Sequence, residues 1–303
     1  MLPRFLLDCD PGIDDAFAIL CALKFGRVDL ITTVSGNVPI NKTTRNALHI
    51  LELAGANVPV HRGADRPLRV APSFADDIHG ESGLGNYYVP EPQHCEHDVD
   101  ATHAIIEYCE RGDAVIVATG PLTNIALALR ADPTLAARIR HLHWMGGATT
   151  HGNTTEFAEF NAWCDPDAAA ETMQSGVAMT MYDLDLTTQV RMGPPEIDRL
   201  RTANTQLATF FADALAFYSL NLPPGVLGKP MHDPCAVLGF LQPAHFTTRA
   251  SNIVCAAAED EQRGRTIVNF TEDHLPHAVA IAADSKVVVE RILMAILEPE
   301  KNQ

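Results

Sequence analysis

Residues 114–118, Ala-Val-Ile-Val-Ala, form an unbroken apolar run between Asp113 and Thr119-Gly120. A run this short has the length of a strand rather than a helix. With no polar alternation it must bury both faces, which places it inside a parallel sheet. Neighbouring segments extend the pattern. Residues 5–7, 29–35, 141–145 and 177–182 read as strands. Residues 13–24, 41–54, 124–130 and 166–174 read as helices, the second with Asn41 as its N-cap. Strands alternating with helices imply right-handed βαβ units, hence an α/β fold with an open, mostly parallel, Rossmann-like sheet flanked by helices. The alternation lapses after residue 194. A long helix over 195–220 is expected, then a Pro/Gly-rich loop at 222–230 and an apolar segment at 235–240. Three β-rich runs at 253–257, 266–270 and 278–283 follow, and a helix over 285–297 closes the chain. No linker, repeat or low-complexity segment interrupts it. One domain over residues 1–303 is expected, with a smaller helical and β-rich C-terminal portion and with functional loops at strand C-termini.

Charge narrows the partners. The 303 residues carry 22 Lys+Arg against 38 Asp+Glu, a net −16. Nucleic acid and anionic membrane surfaces need clustered cations, so neither is expected as a partner. Seven scattered cysteines contain no C-x-x-C pair, which signals neither a zinc ribbon nor a disulfide framework. The N-terminus lacks a signal-peptide apolar region, and no membrane-length apolar run occurs, so a cytoplasmic protein is expected.

The most informative segment is Asp8-Cys9-Asp10-Pro11-Gly12-Ile13-Asp14-Asp15, directly after the first strand and opening a helix. Asp8 and Asp10 stand two apart on one strand face. Gly12 suits a tight turn, and Asp14 and Asp15 suit the positive end of a helix dipole. Two carboxylates about 4 Å apart still repel by about 4 kcal/mol at an effective dielectric of 20. Such a cluster needs protons, bases or a cation, and oxygen-only ligation points to a hard ion such as Ca²⁺ or Mg²⁺. An EF-hand loop starting at Asp8 fails, because its twelfth position is Ile19 and its fifth is Gly12. An aspartate-nucleophile phosphohydrolase with Asp8 as nucleophile stays open, since its strand-borne D-x-D is similar, though Asp14 and Asp15 then lack a task. A metal site built on Asp10 and Asp15 with a later carboxylate is the third reading.

The segment D-C-D-P-G-I-D-D-A closely resembles the N-terminal signature of the nucleoside hydrolases, the inosine-uridine-preferring type included. Five further segments resemble that family in the same order. They are Ser35-Gly36-Asn37, Ile78-His79-Gly80-Glu81-Ser82-Gly83 and Thr119-Gly120-Pro121-Leu122-Thr123-Asn124. The run Met145-Gly146-Gly147, with Gly152-Asn153 and Ala158-Glu159-Phe160-Asn161, is the fourth, and Met231-His232-Asp233-Pro234 is the fifth. The resemblance implies Ca²⁺-dependent hydrolysis of the N-glycosidic bond of ribonucleosides to free base and ribose. It implies one Ca²⁺ held by Asp10, Asp15, Asp233 and the Thr119 carbonyl, with Asp10 as general base. It places Asp14, Asn153, Glu159 and Asn161 on the ribose hydroxyls, Asn37 beside the attacking water and His232 at the leaving base. A homotetramer or homodimer is implied as well. The chemistry suits these residue types: carboxylates stabilise an oxocarbenium-like state, a divalent ion acidifies bound water, and titratable groups such as His79 and His232 can assist a departing base. A loop bearing His79 beside Gly80, Ser82 and Gly83 further suggests a lid over substrate. Two points sit apart from the pattern. The family's tyrosine about a dozen residues before the H-D-P histidine has no counterpart in residues 220–224, where Tyr218 is the nearest, and Glu81 has no assigned task. A nucleoside-binding protein without turnover is the non-enzymatic alternative.

Overall fold

The computed structural model describes residues 2–220, 222, 225–271 and 276–298. Apolar runs become strands β1 (Arg4–Cys9), β2 (Arg27–Thr33), β3 (Val60–Arg62), β4 (Ala114–Ala118), β5 (Ile139–Met145), β6 (Met179–Tyr182), β7 (Arg191–Met192), β8 (Lys229–Pro230), β9 (Phe246–Cys255), β10 (Thr266–Asn269) and β11 (His277–Ala283). The helices are α1 (Ile13–Phe25), α2 (Ile40–Ala54), α3 (Asp76–His79), α4 (Ala101–Cys109), α5 (Thr123–Ala131), α6 (Phe160–Cys164), α7 (Pro166–Gln174), α8 (Leu184–Thr187), α9 (Pro194–Thr202), α10 (Gln206–Tyr218), α11 (His232–Leu241) and α12 (Ser285–Leu297).

Nine strands form one sheet in the order β10-β9-β11-β6-β5-β4-β1-β2-β3, parallel from β11 to β3. Strand β4 behaves as its sequence requires. Val115 and Val117 enter the apolar cluster on one face, while Ala114, Ile116 and Ala118 enter the cluster on the other. Burying a valine or isoleucine side chain this fully contributes about 1.5–3 kcal/mol. Chain order runs β1-β2-β3 to one side and β4-β5-β6 to the other, so it reverses between β1 and β4. Ligands bind at such switch points, because the loops leaving the two strands part there. Among the described residues, no helix is long and apolar enough to cross a membrane.

Several expectations need correction. Residues 195–220 are two helices, α9 and α10, broken where Asn204 takes a left-handed φ of 51° and Thr205 caps α10 through Ala208 N–H. Asn41 lies inside the first turn of α2, whose N-cap is Pro39. The C-terminal strands β9, β10 and β11 extend the central sheet, with β9 antiparallel to both neighbours. The run at 253–257 is only the end of β9, whose residues 247–250 are exposed and leave no apolar signature. Gly12 has φ −97°, which any residue adopts. It is needed for space, since a Cβ there would stand 2.7 Å from His79 Nδ1. Of the segment 220–224, positions 221, 223 and 224 lie outside the described residues.

Asn124, at the start of α5, ties the two halves of the sheet together. Its Nδ2 donates to Asp8 Oδ1 at 2.7 Å and to the Thr33 carbonyl at 3.0 Å, and its Oδ1 accepts from Ala64 N–H at 2.9 Å. Asp8 is fully buried, and burial pushes its carboxyl up to about 7 even with these donors. Asn124→Ala removes one of the two donors to Asp8. We expect a loss of about 2–3 kcal/mol in urea unfolding, where an ordinary surface change gives under 0.5.

Candidate active site

The loops leaving β1, β2, β4 and β5 converge on a cavity of about 560 Å³ at the switch point. Asp14, Asp233, Thr119, Asn37, Glu159 and Asn161 all line it. These sequence-predicted residues are therefore brought together by the fold, although they span positions 14 to 233, while Asp10 and Asp15 are fully buried and do not line the cavity themselves. His79, His232 and Asn153 line the same cavity.

Asp8 does not line it either. Its carboxylate accepts from Thr32 Oγ1 at 2.6 Å and from Asn124, so it serves the sheet. That placement takes the nucleophile away from the phosphohydrolase reading.

Asp10 sits in the crevice between β1 and β4. Its Oδ2 accepts from Asn37 N–H at 2.6 Å, while the buried Oδ1 has no partner. Two glycines hold it closely. A Cβ at Gly36 would lie 2.1 Å from Oδ2 and one at Gly120 2.7 Å from Oδ1. Asp15 is ringed by donors: Gly12 N–H at 3.0 Å, Asn37 Nδ2 at 3.0 Å and Thr119 Oγ1 at 2.8 Å. Asp14, Asp15 and Asp233 each offer an oxygen within 4.8 Å of the others'. The expected ligand set had Asp10 in this group and Asp14 outside it. In the structure Asp14 belongs to the tightest trio, and Asp10 adjoins it.

Crowding raises all of these carboxyls. Burial, then the Asp15 charge, pushes Asp14 up to about 7. Asp10 is held well above the usual carboxylate range by burial and by the Asp15 charge, and Asp233 by burial and the Asp14 charge. An unpartnered buried oxygen, repelling carboxylates and the nearby Thr119 carbonyl suit a hard divalent cation, which takes oxygen ligands alone. The residues present therefore fit such an ion.

The surrounding amides have their donors occupied, which leaves acceptors for a ligand. Asn161 Nδ2 donates to the Thr119 carbonyl at 2.8 Å and the Met145 carbonyl at 3.1 Å. Asn37 Nδ2 donates to the Asp10 carbonyl at 3.1 Å and to Asp15. Both Oδ1 atoms are left to accept. Glu159 caps α6, accepting from Asn161 N–H at 2.9 Å, Ala162 N–H at 3.1 Å and Gly147 N–H at 2.8 Å. A carboxylate has about four lone-pair sites, so one stays available. Burial pushes this carboxyl up to about 7. Asn153 is exposed and stands on a loop that Asp185 latches through the N–H groups of Thr149 and Thr150, at 2.8 and 2.9 Å.

The opposite wall is aromatic and cationic. His79 stacks on Tyr218 with centroids 5.4 Å apart and 29° between planes. His79 Nδ1 accepts from Ile13 N–H at 3.0 Å, which fixes a neutral ring with its proton on Nε2. Burial pushes its pKa down to about 3, which favours the neutral ring. His232 Nδ1 pairs with Thr187 Oγ1 at 2.7 Å, and burial likewise lowers its pKa to about 3. Glu81 contributes its carbonyl, which accepts from Lys42 Nζ at 2.6 Å, while its side chain is exposed.

Sequence reasoning missed Lys229 and Arg191 on this wall, and treated Tyr218 as displaced. A lysine three residues before a His-Asp pair was the available signal in so acidic a chain. Tyr218 ends α10 buried in the cavity wall, hydrogen-bonded to Asp14.

Comparison with known proteins agrees with this geometry. The chain is 38% identical over 277 residues to a pyrimidine-specific ribonucleoside hydrolase, RihA, of Shewanella woodyi, covering 89% of each. Its fold matches that of a purine-preferring ribonucleoside hydrolase from Gardnerella vaginalis with a TM-score of 0.91 and 33% identity, over 97% of this chain and 98% of that one. A plant nucleoside hydrolase, PpNRh1, matches with a TM-score of 0.91 and 29% identity, over 99% of this chain and 100% of that one. The family described as inosine-uridine preferring nucleoside hydrolase matches residues 5–290. With the switch-point cavity and its carboxylates in place, the match over nearly the whole chain makes this protein a member of the inosine-uridine preferring nucleoside hydrolase family.

Proposed function

We propose that this enzyme cleaves the N-glycosidic bond of ribonucleosides, using a divalent cation, Ca²⁺ by expectation, and releasing free base and D-ribose. One observation carries the reading. The side-chain amides of Asn37 and Asn161 have their donors engaged internally, which leaves their Oδ1 atoms to accept beside the clustered carboxylates of Asp14, Asp15 and Asp233. That arrangement accepts hydroxyl protons and a cation, and it suits a neutral polyhydroxylated sugar.

Asp14, Asp15 and Asp233 would hold the ion, with Asp10 and the Thr119 carbonyl beside it. When bound, the ion supplies charge that acidifies a water and neutralises the carboxylates. Asp10 acts as base through its unpartnered Oδ1, taking the proton of the water that attacks C1′. Asn37 Oδ1 accepts the second water proton and orients it. Asn161 and Glu159 accept from ribose hydroxyls, and Asn153 closes over them from its loop. These bonds strengthen as the ring flattens toward the oxocarbenium state, so they favour the transition state over the bound substrate.

The test is a product panel on metal-loaded protein with uridine, cytidine, inosine, adenosine and p-nitrophenyl phosphate. Ribose and free base in equal amounts from at least one nucleoside are expected, with no phosphate released. Phosphate release without ribose would refute the reading, and stable binding of nucleosides with no ribose formed would reassign the protein as a binder.

A further inference from the structure

Lys229 has no counterpart in the chemistry assigned so far. It stands on β8, which pairs with β7 as a two-stranded antiparallel ribbon, Met192 opposite Lys229 and Arg191 opposite Pro230. The stem is half-buried, and the ammonium lies 4.7 Å from the centroid of the Tyr218 ring, on its face. Among the described residues, no carboxylate comes within ion-pair distance of Nζ and no hydrogen bond joins it. Asp14 and Asp77 are the negative charges that favour its protonated form. Lys229 and Arg191 are the two Lys/Arg residues among the described lining of the cavity. Arg191 is engaged elsewhere, donating from Nη1 to the Gly228 carbonyl at 3.1 Å, which fixes the residue before Lys229.

An unpaired ammonium is thus held on an ordered ribbon, facing a cavity whose floor is negative. Ribose hydroxyls belong on that floor, where the acceptors are. The planar base then faces the Tyr218 and His79 rings, which brings it under Lys229.

On the nucleoside-hydrolase reading above, we propose that Lys229 is the group that stabilises the departing base, and that it tunes the enzyme toward bases leaving as oxygen-bearing anions, the pyrimidine-2,4-dione of uridine above all. As the C1′–N bond breaks, its electron pair passes to the base and spreads onto the ring carbonyl oxygens. The ammonium meets that charge as it forms. Water oxygen bonds to C1′ and its proton goes to Asp10, and the base anion takes a proton from solvent after release. Preorganised charge of this kind acts on the transition state more than on the neutral substrate.

Lys229→Met keeps the stem over Tyr218 and removes the charge, and Lys229→Arg restores it. With metal-loaded enzymes, kcat/KM for uridine is expected to fall about 100-fold in Lys229→Met, the scale of one lost preorganised donor. On p-nitrophenyl β-D-ribofuranoside, whose leaving group is stable without help, the loss should stay within about threefold, which also shows that the variant is folded. Lys229→Arg should recover most of the uridine rate, and the uridine-to-cytidine rate ratio should drop in Lys229→Met. Equal losses on both substrates, or an unchanged uridine rate, would overturn the proposal while leaving the hydrolase reading intact. Wild-type protein that cleaves p-nitrophenyl riboside and no nucleoside at all would refute both.

Discussion

Asp10→Asn is expected to lower kcat/KM on any accepted nucleoside by at least about 1,000-fold, since a general base alone is worth 10²–10⁴. The same change should leave the metal-free fold as stable as wild type or more so. The reason is local. Asp10 Oδ2 has one partner, the Asn37 N–H, and an asparagine oxygen accepts that bond equally well. The other oxygen, Oδ1, has none, so an amide there breaks no existing contact. What disappears is a buried negative charge that Asp15, Asp14 and Asp8 all disfavour. Activity and stability therefore move in opposite directions, which sets a lost base apart from a damaged fold. Thermal unfolding in chelator at pH 8 and initial rates with added Ca²⁺ are the two measurements. Rates within tenfold of wild type would remove Asp10 as the base.

Removal of the divalent ion should abolish turnover and should destabilise the protein more as pH rises. Without a cation, Asp14 and Glu159 have folded pKa values of about 7, against about 4 in an unfolded chain. Between those values the native state holds protons that the unfolded state has released. Stability from these groups is thus full below about pH 4 and is lost as pH climbs to about 7. A bound cation replaces the missing positive charge, so its benefit grows where the carboxylates must ionise. Saturating ligand at 100 times its Kd adds about 2.7 kcal/mol. The difference in midpoint between Ca²⁺-loaded and chelated protein should widen steadily from pH 5 to pH 8. A difference that is constant or narrows would show that Asp14 does not hold the ion. Full activity after exhaustive chelation would do the same for catalysis.

How the site could be read from sequence varied by residue. Asp10, Asp14 and Asp15 announce themselves as a cluster after a strand, because their mutual repulsion needs an explanation at any geometry. Asn37, Asn161 and Glu159 are ordinary polar residues when taken alone and became visible only through the motifs around them. Even then, which of their atoms face a ligand was hidden, since that depends on donors used by carbonyls at positions 10, 119 and 145. His79 and His232 were legible only as residue types, and the structure adds that both line the cavity. Their residue type suggests acid–base work, while burial and an accepted backbone N–H hold His79 neutral.

The sequence by itself determined the sheet, because runs such as residues 114–118 can satisfy two apolar faces only inside a parallel sheet with helices on both sides. It also determined that four acidic residues open the chain beside the first strand. Tertiary structure alone decided which partners each of them meets. Asp8 turns to Thr32 and Asn124, while Asp14 and Asp15 meet Asp233 across more than two hundred residues. It alone set Lys229 over Tyr218 as well. Local propensity acts between neighbours in the chain, whereas the partners of a buried charge are fixed by which distant segments pack against it.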